Sequence, residues 1–220
     1  MKAKIADLYD LSHTIAADYL QGFEYPWEAL AGIKDFVLRL GATLPSSEYE
    51  HVKEGVWIAR DATVFESAHI GDAIIIDHEA QVRHCAFLRG PAVLGKGAVA
   101  GNSSELKNVI IFDNAEVPHY NYVGDSILGY HAHMGAGAIT SNLKSDRSDI
   151  VVKNGDERIE TGLRKFGAML GDWVEVGCNT VMNPGTVVGA GSRVYPLSRV
   201  RGFVPEKHIF KDSGNIVPIR

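Results

Sequence analysis

An aliphatic residue recurs every six positions through most of this chain, and that period severely restricts the folds open to it. Stepping by six from Val52 gives Val52, Ile58, Val64, Ile70, Ile76, Val82, Leu88, Leu94 and Ala100 without a break. Four residues after each comes a mostly small one: Val56, Ala62, Ala68, Ile74, Ala80, Ala86, Ala92, Ala98 and Ser104. Gly71, Gly95 and Gly101 directly follow their aliphatic. The series continues, with two five-residue units, through Leu106, Ile111, Val117, Val123, Leu128 and Met134. It resumes at Leu170, Val176, Met182, Val188, Val194 and Val200, with Thr180, Thr186, Ser192 and Ser198 as the small residues.

Six matches neither the 3.6-residue period of a helix nor the two-residue period of a strand. It fits a coil whose flat sides are short strands, with the aliphatic inward and a small residue at each corner. Each turn of such a coil buries its core only against its neighbour. In a sandwich of short strands the common phase would be an accident. The expectation is an all-β chain: a parallel β-helix of hexapeptide repeats over residues 51–205.

The flanks do not repeat. Pro26-Trp27-Glu28 followed by Leu30, Ile33, Phe36, Val37 and Leu40 predicts an amphipathic helix, with Pro26 in its first turn and Gly41 at its end. Residues 1–50 are therefore expected to form a helical cap over the open end of the coil, where the first strands would expose an unpaired edge. The Phe23-Glu24-Tyr25-Pro26-Trp27 cluster could instead be a partner surface. Residues 141–169 interrupt the repeat, and Asn154-Gly155 between two β-prone runs signals a type I′ hairpin. A long insertion on a rigid scaffold is where function tends to sit. Residues 206–220 read as a tail.

A net charge of −5 gives no global field to attract nucleic acid or an anionic membrane, so an anionic ligand must meet a local basic cluster. Two cysteines, Cys85 and Cys178, provide no disulfide framework and suit a reducing compartment. The N-terminal residues show no apolar leader core, and no apolar run approaches a membrane span. The chain is expected to be cytoplasmic.

With three hexads to a turn, residues 18 apart stack at the strand spacing of ~4.8 Å. Arg89 and Lys107 are 18 apart, each just after its inward aliphatic. Like charges that close repel unless an anion lies between them, and a phosphate would suit a bidentate Arg beside a point-charge Lys. The alternative is pairing with Glu105, Asp113 or Asp125. His119 lies in Pro118-His119-Tyr120-Asn121-Tyr122, and Asn142 opens the insertion above it. Arg89, Lys107, His119, Tyr122 and Asn142 are thus expected along one edge, with His119 either a corner residue or a base.

The stretch from Arg89 to about Pro205 resembles the acetyltransferase domain of the bifunctional glucosamine-1-phosphate acetyltransferase/N-acetylglucosamine-1-phosphate uridyltransferase family. It also resembles the archaeal sugar-1-phosphate nucleotidylyltransferase/acetyltransferases. The motifs are LRGPAVLGKGAVAGNSSELKN, VPHYNYVGDSILG, MGAGAITSN and LGDWVEVGCNTVMNPGTVVGAG. The resemblance implies a left-handed coil, a homotrimer and acetyl-CoA as co-substrate between subunits. It places Arg89 and Lys107 on the sugar-phosphate ligands and His119 on the catalytic base. Tyr122 and Asn142 fall on residues that hold the amino sugar or assist the reaction. Ala136 and Cys178 fall near contacts to acetyl-CoA.

Three features depart from the bacterial pattern. No G-x-G-T-R-type phosphate loop occurs in the chain, so nucleotidyl transfer is not expected of it and a separate nucleotidyltransferase is a possible partner. Asn142-Leu143-Lys144-Ser145 and the hairpin replace a short Asn-Tyr-Asp-Gly turn. His133 stands where the bacterial family has an Asn on the sugar.

The expected activity is acetyl transfer to the amine of a glucosamine-1-phosphate-like sugar. His119 would take the proton, and a backbone N–H or the Asn142 amide would face the oxyanion. Two rivals remain: a non-catalytic sugar-phosphate-binding or regulatory subunit, and a γ-carbonic-anhydrase-like zinc enzyme using His84, His119 and His131 or His133. No metal is expected in the favoured reading. Trp57, Phe65 and Phe87 are the outward candidates for a trimer face.

Overall fold

The computed structural model describes residues 1–212 and 214–219. The repeat winds into a parallel β-solenoid with three faces. The first face runs through strands Val56–Ala59, Ile74–Ile76 and Ala92–Leu94, the second halves of Glu105–Ile111 and Tyr122–Leu128, then Ala168–Leu170, Thr186–Val188 and Phe203–Val204. The second includes Thr63–Val64, Gln81–Val82, Val99–Asn102, Glu116–His119, His133–Met134, Glu175–Val176 and Arg193–Val194. The third includes His69–Ile70, Phe87–Leu88, the first halves of the two long strands, Ile139–Thr140, Val181–Met182 and Arg199–Val200.

Register follows the repeat. Val82 pairs with Ala100, Leu88 with Leu106, Met134 with Val176 and Met182 with Val200, each aliphatic directly above the last. These residues form one continuous core with Ala80, Ala86, Ala98, Ala115, Ala132 and Ala138. The small residues therefore point inward beside the aliphatics rather than marking the outer corners. A fully buried aliphatic contributes about 1.5–3 kcal/mol relative to exposure, and stacking multiplies that along the axis.

Three expectations about the flanks change. Val52 is not the first residue of the coil: it lies exposed on Tyr49–Lys53, which pairs antiparallel with Val56–Ala59 and closes that edge. The N-terminal segment packs along the first face instead of covering the end. Leu8, Leu20, Trp27, Leu30, Ile33 and Val37 form a second core with the outward side chains Ile75, Val93, Ile110, Ile127, Met169 and Val187. The expected single helix is a 3₁₀ turn, Pro26–Gly32, followed by an α-helix, Ile33–Gly41. Trp27 stacks on Phe166 of the insertion and Pro26 is buried beside it, whereas Phe23 and Tyr25 stay half-buried and Glu24 is exposed.

The hairpin is present at Val151–Asn154 and Glu157–Glu160, but its register differs from the expectation. Asn154 pairs with Glu157, leaving Gly155 and Asp156 as the turn, with Gly155 at φ 58°. Residues 206–220 are also more than a tail. His208–Asp212 extends the second face in parallel, and Asn215–Pro218 folds back antiparallel upon it.

Candidate functional site

The corner between the third and first faces is made tight by the two five-residue units. Each leaves one left-handed residue to turn the chain, Asn108 at φ 56° and Asp125 at φ 49°. Asn and Asp tolerate that conformation better than most residues. The two side chains meet, with Asn108 Nδ2 donating to Asp125 Oδ1 at 2.8 Å. One turn further on, the insertion leaves from this same corner after Ile139–Thr140 and returns at Ala168. Asn142 therefore starts directly above Asp125.

Asp125 is the centre of the cluster and is almost fully buried. Lys107 Nζ donates to its two oxygens at 2.8 and 3.0 Å, and Asn142 Nδ2 donates to Oδ2. Asn142 Nδ2 also donates to Tyr122 Oη at 3.2 Å. Tyr122 begins the third-face strand and reaches across Gly124, where a Cβ would lie 2.5 Å from its hydroxyl. Burial raises the Tyr122 phenol above its usual range, with Asp125 and Glu105 adding to the effect. It therefore stays protonated as a hydrogen-bonding group.

The stacked basic pair is in place, and each cation has its own carboxylate. Arg89 lies one strand step from Lys107 and donates through Nη1 to Glu105 Oε1 at 3.3 Å. The pairing alternative thus describes the structure as it stands, with two cations balanced by Glu105 and Asp125.

His119 is separate from this network. It ends the second-face strand Glu116–His119, exposed, and its ring makes no hydrogen bond among the described residues. Buried Asn121 holds its backbone: Oδ1 accepts His119 N–H at 2.9 Å, while Nδ2 donates to the carbonyls of Gly135 and Ala138. The five residues expected on one edge therefore occupy two corners, with Tyr122 spanning the face between them.

The corner between the second and third faces stacks His84, Asn102, His119, Ala136 and Cys178. Backbone bonds run from Ser103 to His84, Tyr120 to Asn102, Gly137 to His119, Asn179 to Ala136 and Leu197 to Cys178. His119, Ala136 and Cys178 thus share one ridge. His133 lies on the second face with Nδ1 3.0 Å from Glu116 Oε2. His84 Nδ1 is 2.8 Å from Ser67 Oγ, and His131 stacks on Trp173. Among the described residues of the single chain, no three His, Cys, Asp or Glu side chains group to hold a metal ion. Clefts of about 430 and 480 Å³ lie in the N-terminal segment, between residues such as Tyr19 and Phe36 or Tyr9 and Phe23, away from all of these groups.

The sequence reading missed Gly124 as the passage for Tyr122, and named Asp125 only as one of three carboxylates that could pair with the basic residues, not as the hub. Their signal was the Gly-Asp pair directly after Tyr122-Val123, inside a shortened unit.

A solenoid of hexapeptide turns, carrying a polar network on one corner and a histidine ridge on another, defines the class. The chain belongs to the family described as the GMPPB C-terminal domain, whose model matches residues 70–190. It is 31% identical over 160 residues to a bifunctional sugar-1-phosphate nucleotidylyltransferase/acetyltransferase of Sulfurisphaera tokodaii, covering 73% of this chain and 40% of that protein. It is 40% identical over 107 residues to the bifunctional protein GlmU of Methanococcus aeolicus, covering 49% of this chain and 26% of that protein. The chain thus spans well under half the length of these relatives. Among solved structures, the acetyltransferase domain of PglB from Neisseria gonorrhoeae, in complex with acetyl coenzyme A, is similar at 18% identity and a TM-score of 0.35, covering 85% of this chain and 67% of that one. No helix among the described residues is long and apolar enough to cross a membrane.

Proposed function

We propose that this chain is an acetyl-CoA-dependent N-acetyltransferase acting on an amino-sugar phosphate of the glucosamine-1-phosphate type. The observation that carries the reading is the ridge on which His119 stacks with Ala136 and Cys178, one face away from the Tyr122–Asn142–Asp125–Lys107 network. In this reading acetyl-CoA runs along the ridge, and the sugar lies across the third face. His119 removes a proton from the attacking amine, a task an imidazole suits because it titrates near neutrality.

Asn142 turns its NH₂ toward Asp125 and Tyr122, which commits both protons and leaves Oδ1 as an acceptor for the sugar's amine or hydroxyl. The thioester oxyanion then falls to a backbone N–H. A sugar phosphate would draw Arg89 from its exposed contact with Glu105, while Lys107 stays anchored. Cys178 serves as a small residue beside the cofactor, and His133, on the second face, would reach the sugar only from an adjoining subunit. No metal takes part.

The active unit in this reading is a cytoplasmic homotrimer; acetyl-CoA lies between subunits, because the exposed ring of His119 has no orienting partner among the described residues of its own chain. Phe65 and Phe87 remain exposed and can serve such a face, whereas Trp57 stacks on His51 and packs against Gly41. Light scattering should return three times the 23.9 kDa chain mass. The activity is tested by thiol release from acetyl-CoA against a panel of amino-sugar phosphates. Release with at least one acceptor is expected. Acceptor binding without release would favour the alternative of a binding subunit that partners a separate nucleotidyltransferase.

A further inference from the structure

The outward column that begins with Arg89 and Lys107 runs the length of the third face. Strand register carries it from Lys107 to Gly124, then Ser141, Asn183 and Arg201. Arg201 therefore lies four strand steps from Lys107, roughly 19 Å along the axis. The two ends differ in electrostatics. At the Arg89 end each cation faces a carboxylate. At the Arg201 end, Arg199 and Arg201 flank the inward Val200, and neither forms an ion pair with a described residue.

Both arginines line a cleft of about 240 Å³ with Asn183, Phe210 and Ile216. Arg201 also lines a smaller adjoining cleft with Lys144, Lys153, Pro184 and Gly202. Neither lining contains a carboxylate. Lys144 Nζ is engaged within its own loop, by Ser148 Oγ and the carbonyl of Asp149. Lys153 is held in place by a close approach: a Cβ on Gly202, at φ 84°, would lie 2.6 Å from the Lys153 carbonyl oxygen. Only glycine accepts that contact and that backbone together. The hairpin is thereby pinned with a cation beside Arg201.

We propose that these two clefts bind the diphosphate group of a small-molecule ligand. One phosphate lies between Arg199 and Arg201 in the larger cleft, and its neighbour rests at the mouth of the smaller one, beside Arg201 and Lys153. Two guanidinium groups closing on one cleft repel each other, and an oxyanion converts that repulsion into bidentate, charge-assisted hydrogen bonds. Phe210 and Ile216 provide an apolar wall for the group the diphosphate carries. The site is distinct from the Arg89–Lys107 pair and does not depend on the acetyl-transfer reading.

The test is calorimetric titration of the full chain with pyrophosphate and with inorganic phosphate, so no turnover is needed. Pyrophosphate should bind at least about tenfold more tightly than phosphate, and Arg201→Gln should weaken it by about tenfold or more. Arg199→Gln should weaken it too, whereas Lys34→Gln, exposed on the helix Ile33–Gly41, should leave it unchanged. Thermal denaturation of Arg201→Gln should match wild type, because its side chain pairs with nothing described. Both a nucleoside diphosphate and CoA carry a diphosphate. Displacement of pyrophosphate by UDP assigns the site to the first, and displacement by CoA to the second. No pyrophosphate binding, binding indifferent to the Arg199→Gln/Arg201→Gln pair, or failure of both competitors would overturn the proposal.

Discussion

Lys107 is fixed by Asp125, whose buried carboxylate accepts its ammonium at 2.8 and 3.0 Å and at the same time receives Asn108 and Asn142. Outward position alone would make Lys107 and Arg89 equivalent, and this relationship separates them. Lys107→Ala leaves a buried carboxylate short of its counter-charge and should cost about 1.5–3 kcal/mol. Arg89→Ala removes a contact whose arginine is more than half exposed and should cost at most about 1 kcal/mol. Denaturant titration of the two variants checks the difference, and equal losses would contradict it.

Gly124 is the second point of leverage. An added Cβ would lie 2.5 Å from the Tyr122 hydroxyl and 3.0 Å from Asn142 Nδ2. Tyr122 can yield because the clash is at the far end of its side chain. Gly124→Ala should therefore keep the fold and raise KM for the acceptor. Tyr122→Phe should lose one neutral hydrogen bond, about 0.5–1.5 kcal/mol. An unchanged KM in Gly124→Ala would show that the Tyr122–Asn142 contact does not shape the site.

Asp113 gives a pH dependence. Burial pushes its carboxyl up to about 6, with nearby Asp77 adding and the Lys96 backbone N–H opposing. Because the folded state holds this proton more tightly than the unfolded chain, the group's contribution to stability is full below the unfolded value near 4. It is lost as pH rises through about 6. Asp113→Asn can still accept from Lys96 and should raise the melting temperature above pH 6. After allowance for solvent screening the gain is on the order of 1 kcal/mol. No gain at pH 7, or a larger one at pH 4, would contradict the assignment.

The solenoid was legible because an inward aliphatic every six residues has few other physical explanations. The covered face was not read: consecutive apolar residues in Ile74-Ile75-Ile76 and Val109-Ile110-Ile111 mark strands buried on both sides, yet the N-terminal segment was expected over the open end. The N-terminal segment covers that face through Ile75 and Ile110. Register brought Lys107, Tyr122 and Asn142 together correctly, since stacking needs only counting. It could not place His119 relative to them, because the turn at Tyr120–Asn121 carries the chain to a different face. Nor could it decide whether Arg89 and Lys107 await an anion or already have partners. That depended on Asp125 turning its side chain back from a left-handed corner.

The central claim is that His119 is the base of an acetyl transfer, and steady-state thiol release by wild type and His119→Ala tests it most directly. With an accepted amino-sugar phosphate, the variant should lose roughly 10²-fold or more in kcat while KM for both substrates and the melting temperature change little. The wild-type rate should rise with pH as a histidine loses its proton, and the variant should lack that limb. His84→Ala, His131→Ala and His133→Ala, run in parallel, should keep it. A folded His119→Ala protein that turns over at the wild-type rate would contradict the account.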